Sequence, residues 1–163
     1  GDEMTKNVLQ YARDVFNILL GERVAEEVKC HIGSTLDLGD NLRMTMRGRD
    51  LITGLPKEVT VTDAQIREAL ARAVRTIIDS IKATIELTPP ELVADIYERG
   101  ITLIGGGSLL RGLERSISKE TDIPVRCAED PQTAVVRGCG ILLGDAALLR
   151  EVMLPATGAE RRR

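Results

Sequence analysis

The sequence predicts an α/β protein, and three observations carry that prediction. From Pro89 onward, helix-like and strand-like segments follow one another as helix, strand, helix, strand, helix, the order that lays parallel strands into one layer. Between Asn41 and Thr62, two runs alternate apolar with polar residues, the two-residue period of half-buried strands. Finally, the apolar run Ile101 to Ile104 passes directly into Gly105, Gly106 and Gly107 before a helical pattern resumes.

Each element follows from its own pattern. Val8, Ala12, Val15, Phe16 and Leu19 fall at helical spacing in a first segment that Gly21 is expected to end. A second helix, Glu22 to Ile32, sets Val24, Val28 and Ile32 on one face, with Glu22, Glu26 and Lys29 on its polar flanks and Gly33 as its stop. Leu42, Met44 and Met46 define one strand, Val59 and Val61 another; the glycines and proline between them read as an antiparallel connection. Thr62 or Asp63 can cap the long helix that follows, whose apolar stripe includes Ile66, Leu70, Val74, Ile78 and Ile85. Pro89 and Pro90 stop that helix and start the next, because proline is tolerated in a first turn. "ITLI" has the look of a strand buried on both faces. "SLLRGLERSISKETD" reads as a helix, "IPVRCA" as a second strand, and Asp130 to Val152 as one closing helix.

Composition narrows the function classes. Among 163 residues, 43% are hydrophobic, and the formal net charge is −3, so no basic field points to nucleic acid. Aromatic content of 2% without Trp leaves no stacking platform for single strands. Cys30, Cys127 and Cys139 are an odd number without metal-like spacing, which predicts a reducing compartment and small buried hydrophobes. His31 beside Cys30 lacks further ligands and makes no metal site. No window resembles a signal peptide or a spanning helix. The terminal Glu160 to Arg163 reads as a solvated tail, and Gly1 opens inside a helical pattern, so a longer parent chain is expected.

The glycine trio is the chemically suggestive feature. A helix starting behind a buried strand aims free amides at the strand's carboxyl end, and glycine lets a ligand lie against the main chain. No Lys-Ser or Lys-Thr follows, so this is not a Walker loop, nor does it match the dinucleotide fingerprint. Local physics leaves a structural turn and a ligand-facing turn both open.

"GITLIGGGSLLRGL" resembles the adenosine motif of the superfamily that unites actin, hexokinase and the heat-shock chaperone ATPases. In order with it stand "GDEM", "GERVAEEVKCHIGS", "GRDLITGLPKEVTVT", "TPPELVADIYERG" and "AEDPQTAVVRGCG". Together they resemble the MreB family of bacterial actins over nearly the whole chain. The resemblance implies an actin-like ATPase fold and a partial second domain: a helical sublobe with a small antiparallel sheet, plus a remnant of a parallel sheet flanked by helices. It divides the chain into an inner-sublobe helix (1–21), an outer sublobe (22–88), an inner sublobe with the adenosine motif (89–154) and a tail (155–163).

The resemblance also implies a site. Gly105, Gly106, Gly107 and Ser108 would form the wall beside base and sugar. Glu26, Glu27, Val28 and Lys29 would cover the nucleoside, with Glu26 and Lys29 meeting a sugar hydroxyl; an ordinary solvated helix pair is the alternative reading. Val135 to Leu143 looks like the family's helix across the domain hinge, and Cys30 and Cys139 depart from its usual residues without touching the nucleoside contacts. The implied cofactor is ATP, with Mg²⁺ held mainly by an amino-terminal half; no catalytic residue is expected here, and the chain alone should bind ATP weakly without hydrolysing it. The implied partners are further copies in a filament, the cell-wall elongation machinery, and the inner membrane through the amino-terminal half, with no nucleic acid. That places the protein in the cytoplasm, at the membrane's inner face, directing cell-wall synthesis and rod shape. A small-molecule kinase of the same superfamily and a nucleotide-free interaction module are the competing expectations.

Overall fold

The computed structural model describes residues 1–153, so the expected tail, with Glu160 to Arg163, lies outside the described residues. Helix α1 (Asp2–Phe16) buries Met4, Val8 and Ala12 along one face. It ends four residues earlier than the apolar pattern predicts, because Asn17 adopts a left-handed conformation (φ 51°) and its amide closes on Ala12 and Arg13 carbonyls. Ile18–Leu19 then forms a short strand, β1, which the sequence reading had merged into the helix. Gly21 caps the start of the next helix instead of ending this one.

Helix α2 (Glu22–Ile32) has the predicted bounds and buries Ala25, Val28 and Ile32. Strands β2 (Arg43–Asp50) and β3 (Pro56–Thr62) pair antiparallel, with Met44 opposite Val61 and Met46 opposite Val59. The strand β1 adds to the β2 edge through Ile18–Asp50 and Leu19–Arg49. Met46 and Val61 turn into the core while their neighbours face outward, which is the alternation the sequence shows.

Thr62 closes β3 and opens α3 (Asp63–Glu86) with a reciprocal capping box. Its hydroxyl accepts from the Gln65 amide, and the Gln65 side chain accepts from the Thr62 amide at 3.0 Å. Ile66, Leu70, Ala73, Val74 and Ile78 of α3 complete one core with α1, α2 and the sheet.

Pro90 occupies the first turn of α4 (Pro90–Arg99). Strands β4 (Ile101–Leu103) and β5 (Val125–Cys127) run parallel, in register Ile101–Val125 and Leu103–Cys127, joined through α5 (Leu113–Thr121). The expectation of a strand buried on both faces is corrected here. Ile101 and Leu103 are half-buried and Thr102 and Ile104 exposed, because β5 is the sole strand beside β4 among the described residues. The single closing helix is two: α6 (Ala134–Gly144) stops, and Asp145 accepts from the Ala147 and Leu148 amides to start α7 (Ala146–Val152). The cysteines are not buried hydrophobes; Cys30 and Cys139 are exposed and Cys127 is half-buried. No described helix is long and apolar enough to cross a membrane.

Candidate functional site

The helical period of α2 splits its motif in two. Val28 turns fully into the core, whereas Glu26 and Lys29, three residues apart, line a cleft of about 450 Å³. Lys29 Nζ donates to Glu26 Oε2 at 2.6 Å and to Thr5 Oγ1 at 3.1 Å, and the Thr5 hydroxyl donates to the same carboxylate oxygen. Helix α1 thereby fixes the pair. The Lys29 side chain is only 11% exposed, against 51% for Glu26, so the ammonium is held in place and the carboxylate reaches outward.

The Lys29 hydrogen bond, and after it the Thr5 hydroxyl, hold the Glu26 carboxyl below its ordinary range. At neutral pH it is therefore an acceptor. Its second oxygen meets the Cys30 thiol, at 3.6 Å, and no other hydrogen-bond donor among the described residues. Burial, and then the Glu26 charge, push that thiol up, so it stays protonated. An ammonium has three N–H groups, two of which are engaged here. Acceptor capacity on Glu26 Oε1 beside the weak thiol contact, and one ammonium N–H of Lys29, therefore remain for a ligand among the described residues.

The facing wall rises from β4. Gly105 takes a conformation open to glycine (φ 81°), and Gly106–Leu109 form a single 3-10 turn. The sequence predicts a helix starting directly behind the glycines. That is corrected: Leu110 to Gly112 are non-helical, and α5 begins only at Leu113, after Gly112 in a left-handed conformation. The free amides come from the 3-10 turn instead. Gly105 donates its amide to Pro131 O at 2.7 Å, while the Gly106 and Gly107 amides, in a first turn, have no backbone partner among the described residues.

Of the eight residues named from the sequence, Glu26, Lys29, Gly106 and Gly107 border the cleft. Ser108 sits behind it, buried, donating its hydroxyl to Gly105 O at 2.6 Å and so tying the turn together. Gly105 is the pivot of that turn. Glu27 points to the outer face, paired with Arg23 at 3.0 Å. The sequence reading missed Met4, Cys30, Leu110, Arg111 and Gln132, which also line the cleft; Cys30, set aside as a mere departure, touches the Glu26 carboxylate. Leu110 and Arg111 lay within sight of the glycine motif. Gln132 lies within the stretch "AEDPQTAVVRGCG", which marks the family without pointing to a ligand contact at this residue. Among the described residues no group of three or more His, Cys, Asp or Glu side chains is arranged to hold a metal.

Comparison with known proteins adds a family and a fold. The family model described as MreB/Mbl protein matches residues 1–151. Cell shape-determining protein Mbl of Bacillus subtilis is 38% identical over 143 residues, covering 88% of this chain and 43% of that protein. Cell shape-determining protein MreB of Escherichia coli K12 is 43% identical over 141 residues, covering 86% and 40%. The chain thus spans less than half the length of these relatives. Among solved structures, MreB 5 of Spiroplasma citri bound to AMPPNP superposes with a TM-score of 0.86 at 32% identity, covering 93% of this chain and 45% of that one. A MamK double helical filament superposes at 0.74 with 21% identity, covering 88% and 44%, a likeness of fold alone.

Proposed function

The chain belongs to the MreB/Mbl family of cell shape-determining, actin-like proteins, and on that premise we propose that its cleft holds the adenosine end of ATP. The adenine lies on the bare main chain of Gly106 and Gly107. A sugar hydroxyl donates to Glu26 Oε1, which otherwise accepts only from the Cys30 thiol among the described residues, and accepts from Lys29. Gly105 and Ser108 hold the turn in shape, and Glu27 and Val28 set the pitch of the covering helix.

The carrying observation is the pairing of a polar donor–acceptor couple with a side-chain-free wall across one cleft. Its volume of about 450 Å³ lies within the range of small-molecule sites. In support, MreB 5 of Spiroplasma citri, 32% identical to this chain in the AMPPNP-bound crystal structure, has been solved with AMPPNP and with ADP.

Residues 22–88 form the outer sublobe and residues 89–153 the described part of the inner sublobe; residues 1–21, helix α1 and strand β1, pack into the core of the outer sublobe, and the expected tail, 155–163, lies outside the described residues. The phosphates and their Mg²⁺ belong to parts of the whole protein beyond this chain, to which no catalytic residue is assigned. Magnesium there would neutralise charge on the transferring phosphoryl group. The whole protein assembles with further copies into filaments at the cytoplasmic face of the inner membrane, where it guides the cell-wall machinery.

Titration of the full-length protein with AMPPNP tests the placement. Gly107→Val adds a side chain into open space, with nothing within 4 Å of its first carbon, so the fold tolerates it while the cleft is blocked. Lys29→Ala removes a charge-assisted hydrogen bond, a loss of roughly tenfold or more in affinity. Nucleotide binding that ignores both substitutions sinks the reading.

A further inference from the structure

Gln132 stands in the cleft beside the glycine turn. It follows Pro131, whose carbonyl accepts the Gly105 amide at 2.7 Å, so the 129–133 loop is stitched to the glycine turn. From the other side, Arg137 of α6 donates to Glu129 O at 2.6 Å, and Thr133 closes on Asp130. These bonds run through the loop's main chain and its neighbours. They leave the Gln132 carboxamide exposed and unengaged among the described residues. Its position is specific: a β-carbon on Gly106 would lie 3.4 Å from Gln132 Nε2. A group that settles against Gly106 therefore lies beside a carboxamide held by a fixed loop.

We propose that Gln132 reads the base, selecting a 6-aminopurine over a 6-oxopurine. This deepens the adenosine reading of the same cleft and rests on it. A carboxamide offers one donor and one acceptor side by side. Adenine answers with an amino donor at C6 and the N7 acceptor, a two-bond match. Hypoxanthine and guanine present acceptors at both O6 and N7, so the glutamine oxygen faces another oxygen and one bond is lost. A site that leaves a polar group facing a like group discriminates more strongly than an apolar site.

The test is competitive binding of ATP and ITP, which share sugar and phosphates, to the full-length protein. The unmodified protein is expected to favour ATP on the order of tenfold. Gln132→Leu keeps the bulk but not the hydrogen bonds, and brings the ATP-to-ITP ratio close to one, mainly by weakening ATP. Gln132→Arg, which donates twice toward O6 and N7, turns the preference toward ITP. A ratio unchanged in both variants, with binding still blocked by Gly107→Val, overturns the role of Gln132 and leaves the adenosine reading standing. ATP binding that Gly107→Val does not disturb overturns both.

Discussion

Residues 1–88 and residues 89–153 contain comparable apolar patterns, yet they dispose of them differently. All but three of the buried hydrophobic side chains lie in the first region; the exceptions are Leu113, Ile117 and Ile123. In the second region α4, α6 and α7 bury no residue fully, and Val135, Val136, Ile141 and Leu143 of α6 are 62–82% exposed. Hydrophobicity supplies the drive to bury, but burial needs a facing surface. Helix α3 has the sheet, α1 and α2 to close against, whereas α6 has no such layer among the described residues. The cleft lies on the border, with one wall from each region.

The largest effect that would break this contrast is in the core. Leu70 is fully buried, and Leu70→Ala is expected to cost about 3 kcal/mol by transfer and cavity terms. Ile141→Ala should cost less than about 0.5 kcal/mol, as exposed sites do. Denaturant unfolding of the two variants measures the difference, and equal losses would abolish the contrast.

A middle-sized effect shows where the second region is nevertheless tight. Gly100 has φ 78° and ψ −175°, and a β-carbon there would stand 2.5 Å from Pro124 O. Gly100→Ala should therefore cost about 2 kcal/mol, read as a lowered melting temperature. An unaffected melt would mean that β4 and β5 pair more loosely than their register implies.

The smallest effect concerns the hairpin of the first region. The Asp50 carboxyl is lowered to about 2, first by its hydrogen bond from Lys57 and then by the Thr53 and Ile52 amides. A carboxyl depressed in the folded state contributes fully above its unfolded value of 3.8, and that contribution fades as pH falls through about 2. The melting difference between the protein and Asp50→Asn should be flat near neutrality and vanish in strong acid. A difference that persists undiminished well below pH 2 would assign it to something other than this charge.

Much of the fold was legible because its signals are local. The 3.6-residue stripe of Ile66, Leu70 and Ile78, the Thr62 cap, Pro90 and the alternation of Met44 and Met46 each act within a few residues of themselves. The errors are of one kind. Leu19 continues a helical pattern equally well as it starts a strand, and only the β2 edge at Arg49 decides between them. Likewise "SLLRGL" is apolar enough for a helix, but the bond of Gly105 to Pro131 and the left-handed Gly112 break it into a 3-10 turn and a link. In the site, the family motif named Glu26, Lys29, Gly106 and Gly107 at the cleft, while Thr5 and Gln132 reach it from distant parts of the chain.

By itself the sequence determined which segments become helices and strands and which motifs carry a family's chemistry, because propensity, capping and periodicity are short-range. Only the tertiary structure decided which apolar faces are covered, that Thr5 joins Lys29 on one oxygen of Glu26, and that Gln132 stands against Gly106. Those facts depend on groups more than twenty residues apart meeting through the packing of α1 on α2 and of the 129–133 loop on the glycine turn, and no local pattern encodes such a meeting.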